Sequence, residues 1–475
     1  MINSPLPLIV LPLLAAVVTF GFQRSATLSA LIAAAIPIGL AIFAWVTPLD
    51  GSFSFLGREL FLTTGDRLAI VIIFLTSAAV FLGVWRTTPN WTYYPIALAA
   101  LAAVVAALGA RPVNISVIDG RPFDPFQYSV LFMTIAIALS IFPLQGGQPG
   151  VASGTLRYMI LMVIALPAFL AAAWTLDQYS QSPDAANLAQ ASIALLLLGI
   201  ALWLGLAPFH SWLPKISSEA PPLSSAFVLG VINIGAWFLL LDMLHEIKVL
   251  GDPSTFAVLR AAGILSAVVG GSLAFAQRDF GRLMGYAILG DIGVALAALS
   301  THTDAGLTAA LIVVIVRIFG LGLMTIGLAI ARRYALRTLP HVQEHPDDTF
   351  ESMTGLAWRM PWAALAIIVG GFSLAGVPPF AGFTGRWAAL QQVAGTDLLT
   401  AIALLISTIG VAIGTLRGLQ SVLKPIEPAD TDPTRESRIN IALILGALAL
   451  SLIIGLFPDV IAPALKQMVA AFAIK

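Results

Sequence analysis

Six ionisable side chains stand within or beside runs of sequence too apolar for a solvated charge: His210, Asp242, Asp291, Arg317, Arg386 and Arg417. At the centre of a lipid-embedded helix a charge costs roughly 2.5 to 3.5 kcal/mol, so each such group requires a partner or a wet interior surface. Arg317, in LIVVIVRIFGLGLM, lies deepest in its run. Arginine keeps its charge at any accessible pH, so it cannot relay a proton, but it sets the ionisation of its neighbours and holds a hydrated chain in place. Asp291 titrates, and two readings stay open for it: a proton carrier, or a carboxylate paired to one of these arginines. His210 either switches charge near neutral pH or pins an interrupted helix through a hydrogen bond. Asp242, His245 and Glu246 close an apolar run as DMLHE and read as a solvated helix end. Arg417, near the end of its run, reads as snorkelling to the interface.

Other chemistries are excluded by what the residues are. The chain has no cysteine, which removes disulfides, thiolate metal sites, iron–sulfur ligation and cysteine nucleophiles together. No His or carboxylate stands at ligand spacing from His210, so no metal site is expected, and no cofactor is implied. The glycine clusters VVGGS and VGGFS lie in apolar runs without a following Lys-Ser/Thr, which excludes a phosphate loop and with it a primary ATPase. No nucleophile stands beside a base, so no active site of its own is expected.

The elements that must position these groups are transmembrane helices. The 475 residues are 59% hydrophobic and only 10% charged, with a mean hydropathy of +0.95, whereas soluble chains carry roughly 25% charge. The formal charge of +0 gives no field for nucleic acid. Cutting the sequence at its charged, glycine-rich and proline-rich interruptions predicts about fourteen spans, near 5–22, 26–46, 68–86, 92–110, 126–144, 157–175, 188–208, 223–244, 256–276, 283–300, 305–331, 361–392, 397–420 and 439–465. The first lacks a basic leader and reads as a retained span. FSFLGRELFLTTGD, between the second and third spans, alternates too regularly and carries too much charge to cross, and predicts a small extramembrane hairpin. Loops after odd-numbered spans hold thirteen Lys and Arg, among them Arg86, Arg332 and Arg435. Loops after even-numbered spans, with the C-terminus, hold eight, among them Arg111 and Arg121. This bias places odd loops in the cytoplasm and both termini outside.

Two spans five apart are interrupted by helix breakers. The seventh ends in LGLAPFHSWLPKISSEAPPLSSAF, with Pro208 and Pro214, and the twelfth carries GGFSLAGVPPFAGFTGRW, with Pro378 and Pro379. Freed backbone groups survive at membrane depth only against protein or a wet cavity. Paired breaks at matching positions point to inverted repeats around a midplane ion path, with two re-entrant turns as the plainer reading.

In order and spacing, these segments, together with LAFAQRDFGRLMGYAILGDIG and TLRGL, resemble the antiporter-like membrane subunits of complex I, the proton-pumping NADH:quinone oxidoreductase. Related subunits occur in Mrp-type sodium/proton antiporters and membrane-bound hydrogenases. The match runs from about residue 155 to 425. The resemblance implies an all-α membrane fold of two inverted five-helix repeats with broken helices 7 and 12, the repeats spanning about 92–244 and 256–420 with flanking helices over 5–86 and 439–465. It also implies a buried row of charges, and here that row departs from the family's. Trp203 and Asn233 stand at two family lysine positions, Arg386 at the twelfth-span lysine and Arg317 at an eleventh-span lysine, and YSVLFMTIAIALSIF has no Glu.

These substitutions predict an impaired first half-channel, with Asp291, Asp242 and His210 as an alternative route. The expected function is a membrane subunit of a complex-I-like oxidoreductase involved in proton translocation coupled to electron transport, partnered by other membrane subunits. The alternatives are an Mrp-type sodium/proton antiporter subunit and a non-conducting scaffold.

Overall fold

The computed structural model describes residues 4–22, 24–49, 53–55, 58–85, 92–110, 126–145, 152–182, 185–338, 348–395, 397–425 and 436–473. Arg86, Arg111, Arg121 and Arg435 lie outside the described residues. Among the described residues, fourteen apolar helical segments correspond to the expected spans. Five are α1 (Leu6–Gly21), α2 (Ala26–Val46), α3 (Thr64–Val84), α4 (Tyr93–Gly109) and α5 (Phe126–Gln145), with α6 (Ala152–Gln181) as the sixth. The seventh is α7 (Ala186–Leu204), a short 3-10 turn and α8 (Trp212–Glu219). The eighth is α9 (Pro222–Phe227), one π-helical turn at Val228–Ile232, and α10 (Asn233–Glu246). Then come α11 (Pro253–Ala276), α12 (Phe280–Leu299) and α13 (Asp304–Thr338). After the short α14 (Leu356–Arg359), the twelfth span is α15 (Pro361–Ala375) plus α16 (Ala381–Ala394), followed by α17 (Leu398–Val422) and α18 (Arg438–Leu456). Among the described residues, eleven spans are long and apolar enough to cross a bilayer outright, and α1, α4 and α15 are shorter apolar helices. The charged segment after α2 forms the expected hairpin, β1 (Phe53–Phe55) pairing antiparallel with β2 (Arg58–Leu60).

Capping chemistry moves several helix ends from where hydropathy puts them. α3 starts at Thr64, not near residue 68, because Thr63 and Asp66 form a reciprocal capping box that buries Asp66. Asp279 caps α12 by accepting from the Arg282 N–H at 2.7 Å. The fourteenth span stops at Leu456, short of the expected 465; a 3-10 turn follows, and then α19 (Ala462–Phe472), a separate helix. Phe472 of α19 is fully buried, 6.0 Å from Phe238 of α10.

Two helices are sheathed by the rest. The most apolar stretch of the Pro222–Glu246 span is buried throughout, and 89% of that of α12 is buried. Both are apolar on every side, the pattern of a helix packed wholly inside protein. Asn233 and Asp291 therefore face protein, not lipid. α12 reaches its depth through backbone contact with α11: a Cβ on Gly270 would meet the Gly290 N at 2.5 Å, so only glycine permits this approach.

Candidate functional site: a polar row between two helix breaks

Both breaks have the same backbone. α7 ends at Gly205 in the left-handed region (φ 70°), and α15 ends at Gly376 (φ 74°), a conformation glycine adopts without a Cβ penalty. In the first break the Leu206 N–H donates to the Ala201 carbonyl at 2.9 Å; in the second the Val377 N–H donates to Phe372 at 3.0 Å. Cis peptide bonds precede Pro208 and Pro379. Gly205 and Gly376, Leu206 and Val377, and Pro208 and Pro379 all share one spacing in the sequence, so the two breaks correspond position by position. Pro378 begins the second cis bond, and Pro214 lies in α8 against Gly285 of α12, whose Cβ would meet Pro214 Cα at 2.5 Å.

Polar side chains lead into the bundle interior from each break. The Leu204 carbonyl, last of α7, accepts from Asn233 Nδ2 at 3.3 Å. Asn233 Oδ1 accepts from Arg317 Nη2 of α13 at 2.7 Å. Arg317 and Asp291 of α12 lie within each other's electrostatic field. Asp291 Oδ1 is ion-paired to Arg386 Nη2 of α16 at 2.7 Å. Arg386 Nη1 donates to Ser407 Oγ and Thr408 Oγ1 of α17, each at 3.1 Å. Arg386 also fills the space a Cβ on Gly376 would need, so the row ends against the second break. Asn233, Asp291, Arg317 and Arg386 are 1%, 3%, 2% and 6% exposed. At that burial in a bilayer-spanning bundle, charges persist only by pairing or by facing interior water. Arg317 Nε and Nη1, Arg386 Nε and Asp291 Oδ2 are buried without a protein hydrogen-bond partner.

The other predicted positions lie apart from this set. Trp203, adjacent to Leu204, is 2% exposed and packs on Phe169 of α6 with ring centroids 4.4 Å apart. Its indole makes an aromatic wall at a position where the resemblance leads one to expect a lysine. His210 is half-buried in the first break, 6.1 Å from the Tyr286 ring of α12. Asp242 is buried, not solvated as its DMLHE context suggested; of that group only Glu246 is exposed. Asp242 stands nine residues beyond Asn233 on α10, about 13 Å at the helical rise. Arg417 donates to the Phe275 carbonyl at 2.5 Å and lies over the Phe275 ring.

Sequence reasoning missed Ser407 and Thr408, since hydroxyls in apolar helices are common and nothing in their spacing marks them. It also counted Arg332 as an ordinary cytoplasmic-loop charge. Arg332 is 9% exposed and ion-paired to the fully enclosed Asp348, and it donates to the Ala220 and Ser218 carbonyls at 2.8 and 2.7 Å. This clamp ties the end of α13 to the turn between α8 and α9. Among the described residues no group of three His, Asp or Glu side chains is placed to hold a metal ion.

Comparison with known proteins follows the same lines. Residues 180–413 match the transmembrane family model described as NADH:quinone oxidoreductase/Mrp antiporter. NADH-quinone oxidoreductase subunit N of Acidithiobacillus ferrooxidans is 31% identical over 317 residues, covering 65% of this chain and 62% of that relative. The archaeal membrane-bound sulfane sulfur reductase contains a chain that superposes with a TM-score of 0.82 at 20% identity, covering 99% of this chain and 97% of the other. The Mrp complex of Dietzia sp. DQ12-45-1b contains one with a TM-score of 0.81 at 16% identity and the same coverage. The matched segment contains both breaks, Asn233, Arg317, Asp291 and Arg386, and the chain shares its fold almost end to end with these antiporter-like membrane subunits, to which it is similar in sequence over that segment.

Proposed function

We propose that the chain is an ion-translocating membrane subunit of a complex-I-like assembly, set in a bacterial cytoplasmic membrane with both termini outside and operating beside other membrane subunits. The observation that carries this reading is the buried row from Leu204 through Asn233, Arg317, Asp291 and Arg386 to Ser407 and Thr408. Within that row Asp291 is the side chain that exchanges a proton, because both arginines hold fixed charge and Asn233 holds none.

Arg386 has two sets of partners, the Asp291 carboxylate through Nη2 and the two hydroxyls through Nη1. A proton reaching Asp291 neutralises the carboxylate and releases Arg386 onto the hydroxyls. Return of the guanidinium favours the ionised carboxylate and expels the proton, so movement of α16 relative to α12 couples to proton occupancy. The first half makes no comparable step, since Trp203 and Phe169 present apolar rings where that step needs a titratable group.

The test is proton uptake by inverted membrane vesicles energised through the electron donor of the assembled complex. Asp291→Asn is expected to abolish driven uptake while the subunit still assembles; uptake at the normal rate would end the proposal. The close superposition on the Mrp chain favours a second reading, sodium/proton exchange without a redox partner. Sodium-dependent proton exchange by vesicles lacking any donor would select it.

A further inference from the structure

The last span, α18, buries few of its residues: of 19, only Ile444, Ser451 and Ile454 are buried. Ser451 is fully enclosed, although it stands in an otherwise apolar run, LALSLIIGL. A hydroxyl at that depth requires a partner. Ser451 Oγ accepts from the N–H of Ala381, the first residue of α16, at 3.3 Å. At the start of a helix that N–H has no acceptor of its own, and the second break is what creates this start. Ile454 packs with Ala381 and with Val316, the α13 neighbour of Arg317. Gly455 lies so close to the break that a Cβ there would collide with the Pro379 carbonyl oxygen and come within 2.7 Å of the Phe380 carbonyl carbon. Just ahead of α18, Glu436 accepts from the Trp362 and Ala363 N–H groups at 3.1 and 2.8 Å and so caps the start of α15. One segment thus supplies acceptors to the first N–H groups of both half-helices of the broken twelfth span.

We propose that Ser451 is a positioning residue for Arg386. By accepting from Ala381 it fixes the start of α16, and a little over one turn further on the same helix carries Arg386 to its ion pair with Asp291. α18 is then the post against which α16 shifts as Asp291 gains or loses its proton, a role that rests on the proton-exchange reading above. Removing the hydroxyl leaves the Ala381 N–H buried and unpaired, and displacement of α16 relieves that cost.

The experiment uses the full-length chain, which has no cysteine of its own. Spin labels on Gln391→Cys of α16 and Leu450→Cys of α18, both exposed positions, report the distance between the two helices by pulsed electron paramagnetic resonance on the purified protein in detergent. Ser451→Ala is expected to broaden the distance distribution and move its mean by about 2 Å, the scale of helix shifts at packed interfaces. A pair of glycine variants probes the same contact without touching Ser451. Gly455→Ala is expected to displace α18 from the break, whereas Gly446→Ala on the same helix, with open space around it, leaves the distance as it was. In vesicles energised by the donor of the assembled complex, Ser451→Ala is expected to slow proton uptake about threefold to tenfold, the effect of losing one hydrogen bond. The rate is taken per assembled complex, so a smaller amount of folded protein does not imitate it. An unchanged distance in Ser451→Ala overturns the proposal, as do equal distances in Gly455→Ala and Gly446→Ala, or normal uptake in a Ser451→Ala chain whose distance has shifted. Failure of the proton-exchange reading shows instead in Asp291→Asn, and the distance measurement needs no transport.

Discussion

The two broken helices share a backbone and differ in everything attached to it. Around the first, Trp203 packs against Phe169 and the polar contact is an amide, Asn233, on the Leu204 carbonyl. Around the second, Arg386 lies against Gly376, ion-paired to Asp291 and bonded to Ser407 and Thr408. Glycine and proline dictate the path of the chain through φ limits and missing N–H donors, whichever side chains surround it. The chemistry of a break is set by neighbouring helices. One half of the molecule can thus lack the ion pair found beside the other break while keeping its shape.

The sharpest way to break this comparison is to alter one group in each half. Asp291→Asn leaves Arg386 without its counter-charge, which costs about 3–5 kcal/mol when one member of a buried pair is removed, and is expected to eliminate driven proton uptake. Trp203→Phe keeps the aromatic wall and is expected to leave uptake within twofold of normal. If Trp203→Phe stops uptake, the first half is not sealed.

Next in size is the opening of that wall. The chain lacks cysteine, so single-cysteine accessibility reads cleanly against a silent background. With a hydrophilic thiol reagent, Thr408→Cys is expected to react and Leu204→Cys to be protected. Adding Trp203→Ala, which removes packing worth about 3–5 kcal/mol, is expected to expose Leu204→Cys. Equal labelling at both positions in the otherwise unaltered chain contradicts the contrast between halves.

Smaller still is Ser407→Ala, which removes one of two hydroxyls from Arg386. A hydrogen bond to a charged group is worth about 1.5–3 kcal/mol, and Thr408 takes up part of the load, so uptake is expected to slow severalfold without ceasing. An unchanged rate removes the hydroxyls from the mechanism.

The least effect is expected outside the row, at the start of α17. Asp397 caps that helix and is ion-paired to Arg260 at 3.4 Å. The Thr400 hydroxyl and N–H hold its carboxyl below the usual carboxylate range. A lowered value means that the cap stabilises fully above the ordinary carboxylate range and is lost as pH falls through the lowered one. Asp397→Ala is expected to cost about 1 kcal/mol, read as a lower unfolding midpoint near neutral pH. The difference from the unaltered chain should shrink in acid. A penalty independent of pH rules out the carboxylate as its source.

Much of this was legible in the residues. Apolar run length sets the spans, because a bilayer admits only helices that satisfy their own backbone, and glycine with proline marks both breaks whatever surrounds them. Arg317, Arg386 and Asp291 stood out because charge in an apolar run is costly. What the sequence could not supply was pairing. Asp291 has two arginines within its field, and only the packing of α12 against α16 gives Arg386 the direct ion pair and leaves Arg317 to Asn233. Asp242 looked like a wet helix end, yet the surrounding bundle buries it. The end of the fourteenth span also moved, because a Pro458 turn redirects the chain into α19.

Sequence alone determined that this chain spans a membrane many times, that two of its helices are interrupted, and that one half lacks the expected titratable groups. Each of these follows from local covalent chemistry: hydropathy, φ restriction and residue identity. Tertiary structure alone decided which charges meet, which donors are left over and where the polar row runs. Those outcomes depend on distances between groups far apart along the chain, such as the 84 residues separating Asn233 from Arg317, and side-chain packing closes them.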